Sequence, residues 1–160
     1  HPALVVQTMA RIIEHVETNA LDKLPELAFE ETTSTAKAVT HAATVVAESS
    51  QASYLVAFTE TGLSARYIAR HRRRTPILAF TTVPRTRSLL SVVWGVETFL
   101  VEKVTHTDDM AAQVDKSLLE INRATAGEKV VLVAGVPPGT PGTTNGMRVL
   151  ILGQQKSAGI

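Results

Sequence analysis

The sequence predicts an α/β fold, a three-layer sandwich around a mostly parallel five-stranded sheet whose last strand is antiparallel at an edge. From Tyr54 onward, short β-branched runs alternate with segments of helical periodicity, a pattern typical of parallel strands joined by helices. The final two strand-like segments have no helical segment between them, so they should pair in antiparallel fashion. With 160 residues, 44% of them hydrophobic, the chain has the size and composition of a globular domain.

The first 32 residues are predicted to form an N-terminal helix and a linker, which precede an α/β domain of residues 33–160. Apolar side chains recur at helical spacing over Ala3–Glu17, which indicates the helix. The polar stretch Thr18–Thr32 indicates the linker. Thr33 or Ser34 is expected to cap the second helix, because both are good N-cap residues in front of a new apolar periodicity.

The remaining elements are predicted from alternating periodicity and from the residues that bound each segment. A proline at the first position of one helix marks where it begins. The predicted order is a helix carrying Ala36 to Ala47, strand Tyr54–Phe58, helix Ser64–His71, strand Ile77–Thr81, helix Pro84–Leu90, strand Val96–Val101, helix Asp108–Asn122, strand Lys129–Ala134 and strand Met147–Leu152. The end of the chain, Gly153–Ile160, is expected to be a frayed tail.

The composition excludes several kinds of active site. There is no cysteine, so a thiol nucleophile and a cysteine-ligated metal are excluded. The longest apolar runs, such as Val130–Ala134, are far shorter than the roughly 20 residues that span a bilayer, and we expect a cytoplasmic protein with no membrane partner. The five histidines lack the spacings of metal sites, and the usual phosphate-loop, dinucleotide and nucleophile-elbow motifs are absent. No catalytic or metal-binding residues are therefore predicted.

Charge is distributed unevenly along the chain, although the formal net charge is only +1. Residues 1–60 carry eight acids against three bases, whereas seven arginines and no acid lie between Glu60 and Glu97. Such a segment attracts anions. The run Arg70–Arg74 could indicate a nucleic-acid surface, but no aromatic residues interleave with it. We interpret the run as a solvated helix end or an ion-pairing face, and we expect no nucleic-acid partner.

Two loops that follow predicted strands have compositions suited to an anion. The first, Thr59–Ala65, combines hydroxyl side chains with a glycine that allows close approach of the backbone, just before a helix. This combination suits a phosphate at the carboxyl edge of the sheet. An ordinary helix cap by Thr61 or Ser64 is the alternative that composition alone leaves open.

The second loop, Gly135–Gly146, contains three prolines, four glycines and three threonines. It is longer than the two to five residues that suffice for a hairpin, and long loops in compact domains are often functional. The loop is predicted to clamp a phosphate or a sugar. A purely structural long hairpin remains the alternative.

Ordered motifs along nearly the whole chain carry a family resemblance. They are Phe58–Arg66, Pro76–Thr81, Trp94–Val96, Thr107–Asp109, Val131–Gly135 and Pro138–Asn145. In this order the segments resemble the C-terminal domain of pyruvate kinase, the domain for allosteric effectors and tetramer assembly. Trp94–Phe99 and Ala134–Thr140 are most similar to actinobacterial members.

The resemblance implies a regulatory domain of a glycolytic kinase that converts phosphoenolpyruvate and ADP to pyruvate and ATP in its full-length form. The family's catalytic barrel, with its Mg²⁺ and K⁺ sites, needs about 250 residues and does not fit within these 160. We therefore expect no cofactor in this chain and no kinase activity from the chain alone. A stand-alone domain that binds a small phosphorylated metabolite is the alternative.

The resemblance also implies which residues bind the effector. Those that match the phosphate-binding loop are Thr59, Thr61, Gly62 and Ser64, and those that match the loop closing over the ligand are Gly139, Thr140, Gly142, Thr143, Thr144 and Asn145. Glu60 departs from the pattern of the phosphate-binding loop. A carboxylate at this position would repel a phosphate at close range. No arginine lies in Met110–Gln113, so a second phosphate lacks an evident partner. The favoured effector is AMP or a hexose monophosphate.

A homo-oligomer is the other partner that we expect. The last predicted strand, Met147–Leu152, is rich in apolar residues, and an apolar edge strand invites pairing with a second copy. The predicted interface is therefore this C-terminal edge strand.

Overall fold

One five-stranded sheet and five helices make up the part of the chain that the computed structural model describes, which is residues 1–20, 23, 33–140 and 142–154. The helices are α1 (Pro2–Ala20), α2 (Thr35–Ser49), α3 (Leu63–Ala69), α4 (Pro84–Leu90) and α5 (Thr107–Glu120). The strands are β1 (Tyr54–Phe58), β2 (Ile77–Thr81), β3 (Val96–Leu100), β4 (Lys129–Gly135) and β5 (Thr144–Ile151). The predicted order of helices and strands is confirmed.

The sheet has the strand order β3-β2-β1-β4-β5. The pairs β1–β2, β1–β4 and β2–β3 are parallel, and β4–β5 is antiparallel. The predicted fold class is therefore confirmed, including the antiparallel last strand at the edge. The chain moves outward from β1 to β2 and β3, then returns to the other side of β1 for β4. The direction in which successive strands are added thus reverses between the neighbouring strands β1 and β4.

Two apolar cores cover the two faces of the sheet and give the three layers. On one face Val56 and Phe80 pack with Val114 and Leu118 of α5. On the other face Leu55 and Ala57 of β1 contribute to the second core. This second core also contains residues of three helices, which are Ala43 and Ala47 of α2, Ala65, Ile68 and Ala69 of α3, and Leu90 of α4. Since successive residues of β1 alternate between the two cores, both faces of this strand are buried.

Helix α1 carries its apolar stripe on an exposed surface. None of its residues is buried, and Met9 and Ile12 remain 56% and 58% exposed. A hydrogen bond from Trp94 Nε1 to Glu17 Oε1 at 2.5 Å connects the helix to the segment before β3. Among the described residues, no helix combines the length and the apolar character that crossing a bilayer requires.

The predicted boundary between the first helix and the linker differs from the one observed. Helix α1 continues to Ala20, so residues 18–20 of the predicted linker are helical. Asn19 supports this last turn by donating from Nδ2 to the His15 carbonyl at 2.8 Å. Apart from residue 23, the rest of the predicted linker lies outside the described residues.

The hairpin between β4 and β5 is shorter than predicted. Strand β5 begins at Thr144, because Gly135 pairs with Thr144 and Ala134 with Gly146 across an irregularity in the register. Glycine and asparagine are poor strand formers, so the sequence pattern placed Thr144–Gly146 in the loop, whereas pairing with the buried β4 extends the strand.

The end of β5 is also better held than a frayed tail. Gly153 donates its amide to Asp115 Oδ1 at 2.6 Å, and the Leu152 amide donates to the Glu128 carbonyl at 2.9 Å. The prediction of a tail beginning at Gly153 is therefore wrong for that residue. The last part of the predicted tail, residues 155–160, lies outside the described residues.

The arginine-rich segment after α3 makes contacts within the domain. Arg73 forms an ion pair with Glu48 of α2 at 3.4 Å. The Arg72 guanidinium lies 4.8 Å from the centre of the Trp94 ring, within the range of a cation–π interaction. Both contacts agree with the interpretation of this run as an ion-pairing face.

His71 should make the stability of the domain depend on pH. Its ring lies 4.9 Å from that of His41 on α2, and burial, followed by the proximity of His41, Arg73 and Arg70, lowers the pKa of His71 below 6.5. The unfolded chain then binds this proton more readily than the folded one. Above pH 6.5, His71 is neutral in both states and the free energy of unfolding is not reduced by its protonation. As the pH falls below 6.5 toward the lower pKa of the folded state, the unfolded chain takes up the proton first and the free energy of unfolding decreases.

We expect His71→Gln to flatten the dependence of unfolding free energy on pH below pH 6.5. Urea unfolding at a series of pH values measures this dependence. The matched control is His106→Gln, at an exposed histidine in front of α5. If His71→Gln keeps the wild-type slope, the histidine pair does not control the stability.

Candidate functional site

A cavity of about 170 Å³ opens at the carboxyl ends of β1, β2 and β4. It lies where the strand order reverses beside β1, the place where open α/β sheets usually bind ligands. The described lining residues are Ser34, Ala36, Phe58, Thr59, Glu60, Thr61, Leu63, Ser64, Tyr67, Phe80, Thr81, Thr82, Met110, Gly135, Gly139, Thr140, Gly142, Thr143 and Thr144. Both loops that the sequence singled out therefore contribute to one cavity.

The loop between β1 and α3 is shaped by a turn at Gly62. The Gly62 amide donates to Thr59 Oγ1 at 2.8 Å, and Gly62 has a φ of +84°, in the region that favours glycine. A Cβ at this position would stand 3.1 Å from Leu90 Cδ2. Gly62 thus allows the loop to turn against α4, while Thr59, Thr61 and Ser64 line the cavity.

The expected helix cap by Thr61 or Ser64 is only weakly represented. The N-cap position of α3 is Gly62, without a side-chain cap hydrogen bond. Thr61 Oγ1 accepts from the Leu63 amide at a long 3.4 Å. Neither hydroxyl is therefore committed to a strong cap.

A buried pair of hydroxyl groups joins the two loops. Ser64 Oγ and Thr144 Oγ1 lie 2.6 Å apart, and either can donate. Both residues are less than 10% exposed, although 80 positions separate them in the chain. Whichever hydroxyl accepts keeps its own proton, which an oxygen of a ligand can accept.

The hairpin loop is held by side chains of its own. Asn145 Oδ1 accepts from the Val136 amide and Asn145 Nδ2 donates to the Val136 carbonyl, both at 2.8 Å. Thr143 Oγ1 donates to the Thr140 carbonyl at 2.7 Å. Asn145 is not among the described lining residues. Its two hydrogen bonds to Val136 join the two ends of the loop and so position Gly139 and Thr140 at the cavity.

Glu60 is the only one of the described lining residues that carries a charge at neutral pH. Its carboxylate accepts from Thr82 Oγ1, at 3.2 Å for one oxygen and 3.0 Å for the other. Its carbonyl accepts from Thr86 Oγ1 of α4 at 2.7 Å. The side chain is thus directed to the carboxyl end of β2, and the cavity combines many neutral donors with one negative charge.

Several lining residues were missed in the sequence. Thr81 is the last residue of β2, Thr82 comes directly after it, and Tyr67 lies on α3. The rule that ligands bind at the carboxyl ends of strands could have indicated the two threonines. No pattern indicates Tyr67, because its position depends on how α3 packs on the sheet.

Comparison with known proteins identifies the family. The family model described as "Pyruvate kinase, alpha/beta domain" matches residues 37–150, which include both loops of the cavity. The chain belongs to the pyruvate kinase family. The resemblance found in the sequence is confirmed.

Relatives of known identity are similar over almost the whole chain. The pyruvate kinase of Mycobacterium tuberculosis is 44% identical over 154 residues, which are 96% of this chain and 32% of the relative. That of Corynebacterium glutamicum is 40% identical over 152 residues, 95% of this chain and 31% of the relative. Both are actinobacterial, as the motifs indicated. This chain therefore spans about a third of the length of the curated pyruvate kinases that it matches.

The fold is shared with a solved pyruvate kinase structure. The crystal structure of a pyruvate kinase from Cryptosporidium parvum superposes with a TM-score of 0.68 and 23% sequence identity. The match covers 76% of this chain and 23% of that one. This pyruvate kinase thus shares the α/β architecture described above.

We expect Gly62→Ala to destabilise the domain more than Gly127→Ala. Both glycines have positive φ, +84° and +94°, so each alanine pays about 1–2 kcal/mol for the left-handed backbone. Only at Gly62 would the new Cβ also crowd Leu90, whereas nothing lies within 4 Å at Gly127. Overpacking of this kind adds about 1–3 kcal/mol.

Urea unfolding of the two variants and the wild type measures the difference. Equal losses of unfolding free energy would show that the contact with Leu90 relaxes without cost and that the turn at Gly62 needs no glycine beyond its backbone angle.

Proposed function

We propose that this chain is the regulatory portion of a pyruvate kinase and that it binds a phosphorylated effector in the cavity at the carboxyl ends of β1, β2 and β4. The observation that carries the proposal is the Ser64–Thr144 contact, because it brings the predicted phosphate loop and the predicted closing loop to one cavity at the reversal of strand order. Since the chain spans about a third of its relatives, the phosphoryl transfer from phosphoenolpyruvate to ADP, with its Mg²⁺ and K⁺, is proposed only for a full-length enzyme in the cytoplasm.

The donors in the cavity support a phosphate as the recognised group. Nine of its described lining residues are serine or threonine, and hydroxyl groups bind phosphate oxygens as donors. In the proposed arrangement, Thr59, Thr61 and Ser64 hold the phosphate and the loop from Gly139 to Asn145 closes over the remainder of the ligand. Gly62 provides the turn that this arrangement needs.

The charge of the cavity favours a monophosphate such as AMP or a hexose monophosphate over a bisphosphate, and its size favours the smaller hexose monophosphate of the two. Its volume of about 170 Å³ is below the roughly 300–1,000 Å³ of pockets for drug-sized ligands. The Glu60 carboxylate disfavours further negative charge. A ligand with one phosphate and neutral hydroxyl groups fits these limits better than a bisphosphate, and sugar hydroxyl groups can donate to Glu60.

A stand-alone phosphometabolite-binding domain is the second candidate. All of the described residues that line the cavity belong to residues 34–144 of this chain, so ligand binding as such requires no catalytic barrel. The two candidates differ in whether a ligand at this site changes the activity of a kinase domain carried by the same polypeptide.

The proposal predicts that glucose 6-phosphate or AMP binds and raises the melting temperature by mass action. Thr61→Ala removes an exposed hydroxyl of the phosphate loop. Losing one hydrogen bond to a charged phosphate should weaken binding roughly ten- to a hundredfold. Glu60→Gln should strengthen binding, because it removes a negative charge and keeps an acceptor for Thr82.

Calorimetric titration of each variant with glucose 6-phosphate, AMP and fructose 1,6-bisphosphate provides the measurement. The control is Thr8→Ala on α1, outside the lining residues. Equal binding by wild type and Thr61→Ala would contradict the site assignment, and tightest binding of the bisphosphate would contradict the preference for a monophosphate.

We also propose that the domain forms a homo-oligomer through β5, the end strand of the sheet. Met147, Val149 and Ile151 lie on one side of this strand and are 44%, 45% and 36% exposed. A row of apolar side chains on an edge strand favours association with a second copy.

In sedimentation experiments the wild type should therefore exceed its 17.2 kDa monomer mass as concentration rises. Val149→Lys should shift the distribution to the monomer, because the new charge would be buried on pairing. Val92→Lys, at an 87% exposed valine before β3, is the matched control. A wild type that stays at the monomer mass at every concentration refutes the proposed interface.

A further inference from the structure

The cavity lacks a positive side chain among its described lining residues. A phosphate monoester carries about −1.5 to −2 charges at neutral pH, and Glu60 already contributes one negative charge. Hydroxyl donors alone do not balance this total. A cation close to the opening would complete the electrostatics of the site.

Lys103 lies next to the loop that covers the cavity. It belongs to the connection between β3 and α5, and its side chain is exposed. From the position that a Cβ on Gly139 would take, Lys103 Cε is 3.4 Å away and Nζ is 3.8 Å away. Gly139 is itself a lining residue, so the ammonium group lies beside one residue of the cavity wall, while Lys103 is not among the described lining residues.

The close approach of Lys103 to the loop is possible because Gly139 has no side chain. Gly139 has a φ of +84°, in the left-handed region that other residues rarely adopt. Because no Cβ projects there, the lysine stem lies against the loop backbone.

The ammonium of Lys103 is available for a ligand. No acid among the described residues lies within the 4.0 Å range of an ion pair with it, whereas Lys116 on α5 is paired with Glu120 at 3.9 Å. Lysine combines a compact charge with a flexible stem of four carbons. Its ammonium can therefore reorient toward an anion that is bound near Gly139.

We propose that Lys103 is the cation of this site and binds the phosphate of the effector. The proposal rests on the proposed function, and it adds a residue that lies outside both predicted loops. Lys103 offsets the charge of Glu60, so the site becomes selective for an anionic ligand over a neutral sugar.

The test compares Lys103→Met, Lys103→Arg and the control Lys116→Met in calorimetric titrations with glucose 6-phosphate and with inorganic phosphate. We expect Lys103→Met to weaken both ligands roughly tenfold or more, Lys103→Arg to restore most of the affinity, and Lys116→Met to bind as the wild type does. Added salt should weaken binding to the wild type more than to Lys103→Met, because the screened charge is missing in the variant.

Each other result decides against the proposal. Equal binding of both ligands by wild type and Lys103→Met overturns the role of Lys103 and leaves the effector site intact. If Lys103→Met loses affinity for glucose 6-phosphate but not for inorganic phosphate, Lys103 contacts the sugar and its proposed role as the partner of the phosphate is also overturned. Failure of the wild type to bind either ligand refutes the effector site together with this inference. Unchanged urea midpoints of the variants show that folding is not responsible for a loss.

Discussion

The position of β1 between β2 and β4 is the constraint on which the rest of the structure depends. Parallel pairing on both sides aligns Phe58 with Phe80 and Ala57 with Val133, so the ends of three strands meet at one edge. The connections leave that edge in different directions because the strand order reverses there. Burial of Val56 in one core and Leu55 in the other holds β1 in place from both faces.

The loops at this edge form a site because a second contact joins them across the sheet. Ser64 follows β1 and Thr144 begins β5, and their hydroxyl groups meet in a buried position. Asn145 holds the hairpin by bonding both backbone groups of Val136. The result is a small polar cavity whose charge depends on few residues, Glu60 within it and, as we propose, Lys103 beside Gly139.

The sequence predicted regular elements well and their ends less well. Periodicity and caps located each strand and helix, since local pattern and burial agree over the sheet. The start of β5 at Thr144 was missed because Thr144–Gly146 has weak strand propensity, and only pairing with β4 extends the strand. The end of α1 was missed for a similar reason, because Thr18 and Asn19 are polar and the helical state of this last turn depends on local bonds such as that of Asn19.

The sequence by itself determined the α/β class, the antiparallel last strand, the membership in the pyruvate kinase family and the two loops that line the cavity. These follow from periodicity, turn residues and ordered motifs, which are local properties of the chain. Only the tertiary structure decided that Ser64 meets Thr144, that Glu60 is directed to Thr82 and that Lys103 lies beside Gly139. Those contacts join residues 22 to 80 positions apart, and their geometry is set by the packing of the sheet, which no local pattern encodes.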